Sequence, residues 1–145
     1  MVKFLLQNGA IIEEDRGRKH PINIAITNRD QEMVKCLLQN GSHIEEDGSG
    51  QDPIIIAIEN EDQEMLAFLL ENKAKIKQNS AKEHPLNFAI FQNYPTSPSM
   101  AKLLLDHGST IEEDNLGQTL RYRFDKQEHR TISNIVVLWS KIHRG

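Results

Sequence analysis

The chain has one cysteine, one tryptophan and few aromatics, at 6%. It has no apolar run approaching the ~20 residues that a bilayer-crossing helix needs. Each shortage closes off a class of function. A lone Cys36 cannot form an intrachain disulfide and fits a reducing compartment. Basic residues number 17 against 21 acidic ones, a net charge of −4. A nucleic-acid binder carries a basic excess or patch, so this balance argues against a nucleic-acid partner. The opening Met-Val-Lys-Phe-Leu-Leu-Gln-Asn-Gly is too short and too polar for a signal peptide. There is no Gly-rich phosphate loop, serine elbow or nucleotide signature. Of the six histidines, His20, His43, His84, His107, His129 and His143, no two stand at i, i+4, and no Cys/His cluster has zinc spacing. No catalytic residue, metal or cofactor is expected. With 26% charged and 38% hydrophobic residues, the 145-residue chain reads as one soluble globular domain in an intracellular, cytoplasmic setting, or delivered into a host cytoplasm by a parasite or intracellular bacterium.

What the chain does have is repetition. Gly9-Ala10-Ile11-Ile12-Glu13-Glu14-Asp15 returns as Gly41-Ser42-His43-Ile44-Glu45-Glu46-Asp47, 32 residues on, and as Gly108-Ser109-Thr110-Ile111-Glu112-Glu113-Asp114. Pro21, Pro53 and Pro85 keep the same 32-residue interval, each with an alanine four positions later. A fixed period of this length marks a stack of small supersecondary units.

Each unit predicts two short amphipathic helices. Proline fits the first turn of the first one, where its missing N–H costs nothing, and Ile22, Ala25 and Ile26 follow at helical spacing. The second helix, near 31–40, carries Met33, Val34, Leu37 and Leu38 as an inward stripe. Asp52 before Pro53 is a good N-cap. Glycine closes the second helix except in the unit where Lys73 stands, which makes that terminus the weakest expected. Stacking predicts ladders of Leu6, Leu38, Leu70 and Leu105, and of Ile12, Ile44, Ile76 and Ile111, with Leu38→Ala expected to cost ~2–5 kcal/mol. The boundaries are a partial unit at 1–14, units at 15–46, 47–78 and 79–113, and a C-terminal unit or cap at 114–145, with helices near 119–127 and 131–142 and Trp139 as packing. Because residues 1–9 match 33–41 almost letter for letter, the chain reads as beginning mid-repeat, a fragment of a longer array. The third unit carries an insertion at 93–99, either a neutral surface loop or a functional one.

These residues resemble the ankyrin repeat. The opening slots His20-Pro21-Ile22-Asn23-Ile24-Ala25, Asp52-Pro53-Ile54-Ile55-Ile56-Ala57 and His84-Pro85-Leu86-Asn87-Phe88-Ala89 are similar to the family's Thr-Pro-Leu-His-x-Ala. Met33-Val34-Lys35-Cys36-Leu37-Leu38 and Met100-Ala101-Lys102-Leu103-Leu104-Leu105 match its second-helix stretch, and 47–50 and 114–117 its Asp-x-x-Gly turn. Arg18 and Lys82 replace that glycine in two units. The implied fold is all-α: an ankyrin-like solenoid of stacked helix–turn–helix repeats with short β-turn or hairpin connections.

The resemblance implies a non-catalytic module that binds a protein partner through the inner face of its first helices and its turn tips. An alternative is the targeting or regulatory segment of a larger enzyme or effector. The matching slots are Arg16, Arg18, Lys19, Thr27 and Asn28, then Ser49, Gln51, Glu59 and Asn60. Lys82, Glu83, Phe91 and Gln92 follow, and finally Gln118 and Lys126. Arg16, Arg18 and Lys19 could meet an acidic patch. Phe91 reads either as an aromatic anchor or as packing against Tyr94. The carboxylate pairs Glu13-Glu14, Glu45-Glu46 and Glu112-Glu113 recur at the turns, so they read as a solvated stripe rather than a catalytic pair. Cys36 occupies the slot of Phe4 and Phe68 and reads as a packing thiol. The partner's identity and the oligomeric state are not encoded in these patterns.

Overall fold

Proline and aspartate set where the helices start. Pro21, Pro53 and Pro85 each stand in the first turn of a helix, and these helices run Pro21–Thr27 (α2), Pro53–Glu59 (α4) and Pro85–Phe91 (α6). The computed structural model describes residues 2–10, 19–81, 83–92 and 94–109, leaving aside the side chains of Lys3, Gln7 and Phe91. The other helices are Val2–Gln7 (α1), Gln31–Gln39 (α3), Gln63–Glu71 (α5) and Ser97–Asp106 (α7). Among the described residues there are no strands. The expected helices at 119–127 and 131–142, Trp139, and the pairs Glu13-Glu14 and Glu112-Glu113 lie outside the described residues.

Aspartate caps three of the described helices. Asp52 Oδ1 accepts from the N–H of Ile54 at 2.8 Å and of Ile55 at 3.2 Å, the expected N-cap. Asp30 and Asp62 do the same for α3 and α5, accepting from Met33 and Met65, both at 2.9 Å. The helix ends also repeat one motif. The residue after the C-cap swings to positive φ, and the next N–H returns to a carbonyl five residues back: Asp30 to Ala25, Ser42 to Leu37, Asp62 to Ala57, Ala74 to Leu69 and Ser109 to Leu104, at 2.9–3.0 Å. Gly41 and Gly108 suit that conformation, at φ 91° and 89°. Lys73 takes it at φ 65° while Asn72 stays at φ −87°, so the lysine itself carries the strain. Arg29 (φ 57°) and Glu61 (φ 54°) do so as well, at the ends of α2 and α4. Asparagines add a recurrent seal. Asn8, Asn40 and Asn72 each donate Nδ2 to the carbonyl four residues back, at 2.7–2.8 Å.

The chain divides into two compact units, Met1–Lys75 and Ile76–Gly145. In the first, α2 packs on α3, α4 on α5, and α2 on α4; in the second, α6 packs on α7. The core follows the helical stripes: Ile22, Ala25, Ile26, Val34 and Leu37 in one repeat, Ile54, Ala57, Ile58, Met65, Leu66, Leu69 and Leu70 in the next, Leu86, Ala89, Ile90, Met100, Ala101, Leu104 and Leu105 in the third. The ladders need correction. Leu6 and Leu38 are only half-buried, while Leu37, one position earlier, is 3% exposed. The inward stripe of α3 turns toward Val34 and Leu37, three residues apart on one helix face. Ile44 and Ile76 are half-buried, and Ile12 and Ile111 lie outside the described residues. The insertion closes on itself through Ser97, whose Oγ accepts from the Tyr94 N–H at 2.9 Å, and α7 begins there, one residue before Pro98.

Candidate functional site

The turn before α4 is built around one carboxylate. Asp47 is buried, and its Oδ1 accepts from the Ser49 N–H (3.0 Å), the Ser49 hydroxyl (2.6 Å) and the Gln51 N–H (3.1 Å). Its Oδ2 accepts from Asn23 Nδ2 at 3.0 Å, and the same amide reaches the Gln51 carbonyl at 2.9 Å. Asn23 lies on α2, 24 residues earlier, so one helix pins the turn tip of the next repeat. Burial works to raise the Asp47 carboxyl, but the hydrogen bonds from Ser49, Gln51 and Asn23 outweigh it and hold it below its ordinary value. Gly50 (φ 82°) completes the tip, donating its N–H to the Asp47 carbonyl at 2.9 Å.

The following turn solves the same problem differently. Asn79 stands where Asp47 does, and Ile55 stands where Asn23 does. Asn79 closes its own tip, accepting from the Glu83 N–H at 2.9 Å and donating Nδ2 to Glu83 Oε2 at 3.0 Å. The sequence patterns missed this exchange. The signal was present, since asparagine at 23 is followed by aspartate at 47, and isoleucine at 55 by asparagine at 79.

The expected binding residues fall into three groups. In the first unit, Lys19, Thr27, Asn28, Ser49, Gln51 and Glu59 are exposed and Asn60 is half-buried. Asn60 donates Nδ2 to the carbonyls of Ile26 (3.0 Å) and Thr27 (3.3 Å), which brings the ends of α2 and α4 side by side. Its amide is therefore spent inside the fold, as is the Thr27 hydroxyl, which donates to the Asn23 carbonyl at 2.8 Å. In the second unit Glu83 and Gln92 are exposed, and Phe91 is the last residue of α6. Arg16, Arg18, Lys82, Gln118 and Lys126 lie outside the described residues. Arg29 is exposed beside Asn28 at the α2–α3 turn.

What remains outward is a set of hydrogen-bonding side chains on stiff turns, a surface suited to recognition. Among the described residues no group of three or more His, Cys, Asp or Glu could hold a metal ion. Cys36 is half-buried with Asn40 Nδ2 3.8 Å from its sulfur. It lines an open cleft of ≈ 450 Å³ between α1 and α3, with Val2, Met33, Asp30, Glu32 and Lys35. No helix among the described residues is long and apolar enough to cross a membrane.

Comparison with known proteins agrees with this architecture. A family profile described as "Ankyrin repeats (3 copies)" matches residues 42–115, just over half of the chain. Among solved structures, an ankyrin repeat domain from Acinetobacter baumannii AYE is similar, with a TM-score of 0.84 at 19% identity, covering 94% of this chain and 73% of that one. At that identity the likeness concerns the fold. No curated protein matches the sequence.

Proposed function

The chain belongs to the ankyrin-repeat family, and from that premise we propose that it is a non-catalytic module, one array over 1–145, which binds a protein partner through its turn tips and the first-helix residues beside them. Ankyrin repeats are generally protein–protein interaction modules. The observation that carries the reading is the Asp47 network. It spends a buried carboxylate and an inter-repeat asparagine on holding one exposed turn tip, with the Gln51 side chain outward. Preorganising a surface loop lowers the ordering cost of association. Glu59, the exposed last residue of α4, would widen the same contact.

The test is affinity capture with the native protein as bait, followed by hydrogen exchange on the bait–partner complex. Slowed exchange is expected at 47–51 and near 27–28 and 59–60. A bait carrying Gln51→Arg and Glu59→Arg, verified as folded by circular dichroism, should lose the partner. Equal retention by both baits would refute this placement of the site.

A further inference from the structure

The dipeptide Asn-Gly stands at 8–9, after α1, and at 40–41, after α3. A backbone nitrogen that follows asparagine can attack the side-chain amide carbon, and glycine leaves that nitrogen uncrowded. Asn40 and Gly41 are both exposed, so burial does not shield them. The helix end does. At ψ 20° the Gly41 nitrogen is turned away from the Asn40 Cβ across the Cα–C bond, whereas closing a ring needs the two on the same side. The Gly41 N–H donates to the Leu38 carbonyl at 3.2 Å, and Asn40 Nδ2 donates to the Cys36 carbonyl at 2.8 Å. Nucleophile and electrophile are thus each held by the helix, and held apart.

The same cap closes α5 with a different residue behind it. Asn72 has ψ 22° and donates Nδ2 to the Phe68 carbonyl at 2.8 Å. Lys73 follows, and its N–H donates to the Leu70 carbonyl at 3.0 Å. The conformation matches that at Asn40, but a lysine side chain now crowds the attacking nitrogen. The two helix ends share a geometry and differ in reactivity.

We propose that Asn40 is a modification site gated by opening of the α3 terminus, where the chain deamidates itself with water as the only co-reactant. When the Gly41 and Ser42 N–H groups release the Leu38 and Leu37 carbonyls, ψ of Asn40 is free to turn. The Gly41 amide gives its proton to solvent base, and its nitrogen bonds to Asn40 Cγ. The Cγ–Nδ2 bond breaks, and the amide nitrogen takes a proton from solvent and leaves as ammonia. The product is a five-membered cyclic imide. Water adds to one of its two carbonyls, leaving aspartate, or isoaspartate with an extra methylene in the backbone. Neither restores the helix end. A carboxylate cannot donate to the Cys36 carbonyl, and it sets a negative charge at the negative end of the helix dipole. Isoaspartate lengthens the path between the Leu38 carbonyl and the Gly41 N–H. Opening is thereby made irreversible at one residue. The site is independent of the turn-tip surface proposed above, and either can fail without the other.

Peptide mapping by mass spectrometry reads the site directly, on the 145-residue protein held at mildly alkaline pH with and without urea. In urea Asn40 should convert to aspartate and isoaspartate, and Asn72 far more slowly. In native buffer conversion at Asn40 should be at least about tenfold slower than in urea, the factor expected when two or three hydrogen bonds must break first. Leu37→Ala removes a buried anchor of α3 and should raise the native rate severalfold, because local opening becomes easier. Asn40→Asp installs one product outright and should lower Tm by about 2–4 °C. Equal rates at Asn40 in native buffer and in urea would overturn the gating, as would a native rate that Leu37→Ala leaves unchanged. Equal conversion of Asn40 and Asn72 in urea would overturn the part given to Gly41. An unaltered Tm for Asn40→Asp would overturn the claim that the product leaves the helix end open.

Discussion

Three side chains sit where glycine would be cheaper. Arg29, Glu61 and Lys73 hold φ of 57°, 54° and 65°. The left-handed conformation costs an L-residue roughly 1–2 kcal/mol, against roughly 0.5–1 kcal/mol for the extra freedom glycine loses on folding. Each of Arg29→Gly, Glu61→Gly and Lys73→Gly is expected to stabilise by roughly 0.5 kcal/mol, raising Tm by about 1–2 °C. A melt that drops for all three would show that the side chains contribute more than the backbone loses. Asp47 gives a second test. Its folded pKa lies below the ordinary 3.8, so its ionised form stabilises the fold. That contribution is complete above the unfolded pKa and fades as pH falls from about 4 through the lower folded value. Asp47→Asn should be less stable at neutral pH, yet lose less Tm than the native protein between about pH 5 and pH 3.

Within the turn–helix element, what stabilises is a combination of residues rather than any one of them. Asn23→Ile alone removes a buried donor from Asp47 and should cost about 1–3 kcal/mol. The triple change Asn23→Ile, Asp47→Asn, Gln51→Glu installs the self-closed tip that Asn79 and Glu83 form, which takes no donor from Asn23. It should recover most of that loss in urea melts; additive losses across the three sites would sink the pairing. On α3 the two adjacent leucines should separate clearly. Leu37→Ala, at a buried site, should cost ~2–5 kcal/mol, and Leu38→Ala, half-buried, less than half as much.

Across the molecule, the packed helix pairs are near neighbours in sequence: α2 with α3, α4 with α5, α2 with α4, α6 with α7. Repeat proteins bound together in this way share out stability by nearest-neighbour contacts. Local opening should then follow burial. α4, with Pro53 through Ile58 all buried, should show the slowest amide exchange of the first unit. α1, with Val2, Phe4 and Leu5 exposed, should show the fastest. Uniform exchange over Met1–Lys75 would mean that this unit unfolds as one body.

Repetition and local chemistry were enough to identify much of this protein. Proline in the first helical turn, the aspartate caps at Asp30, Asp52 and Asp62, and glycine after a second helix all act within a few bonds of themselves. The all-α class, the limits of α3 to within a residue, the Asp52 cap and the strain at Lys73 could therefore be read from order alone. Arg29 and Glu61 were also within reach, since only two residues separate α2 from the Asp30 cap and α4 from the Asp62 cap. Tertiary structure decided what depends on neighbours far along the chain. It chose Leu37 over Leu38 as the inward leucine, because helix rotation is set by the partner helix. It tied Asn23 to Asp47, joined Asn60 to the end of α2, and left Val2, Leu5 and Ile24 exposed. Each of those outcomes is a property of what lies alongside, and periodicity reports only what recurs.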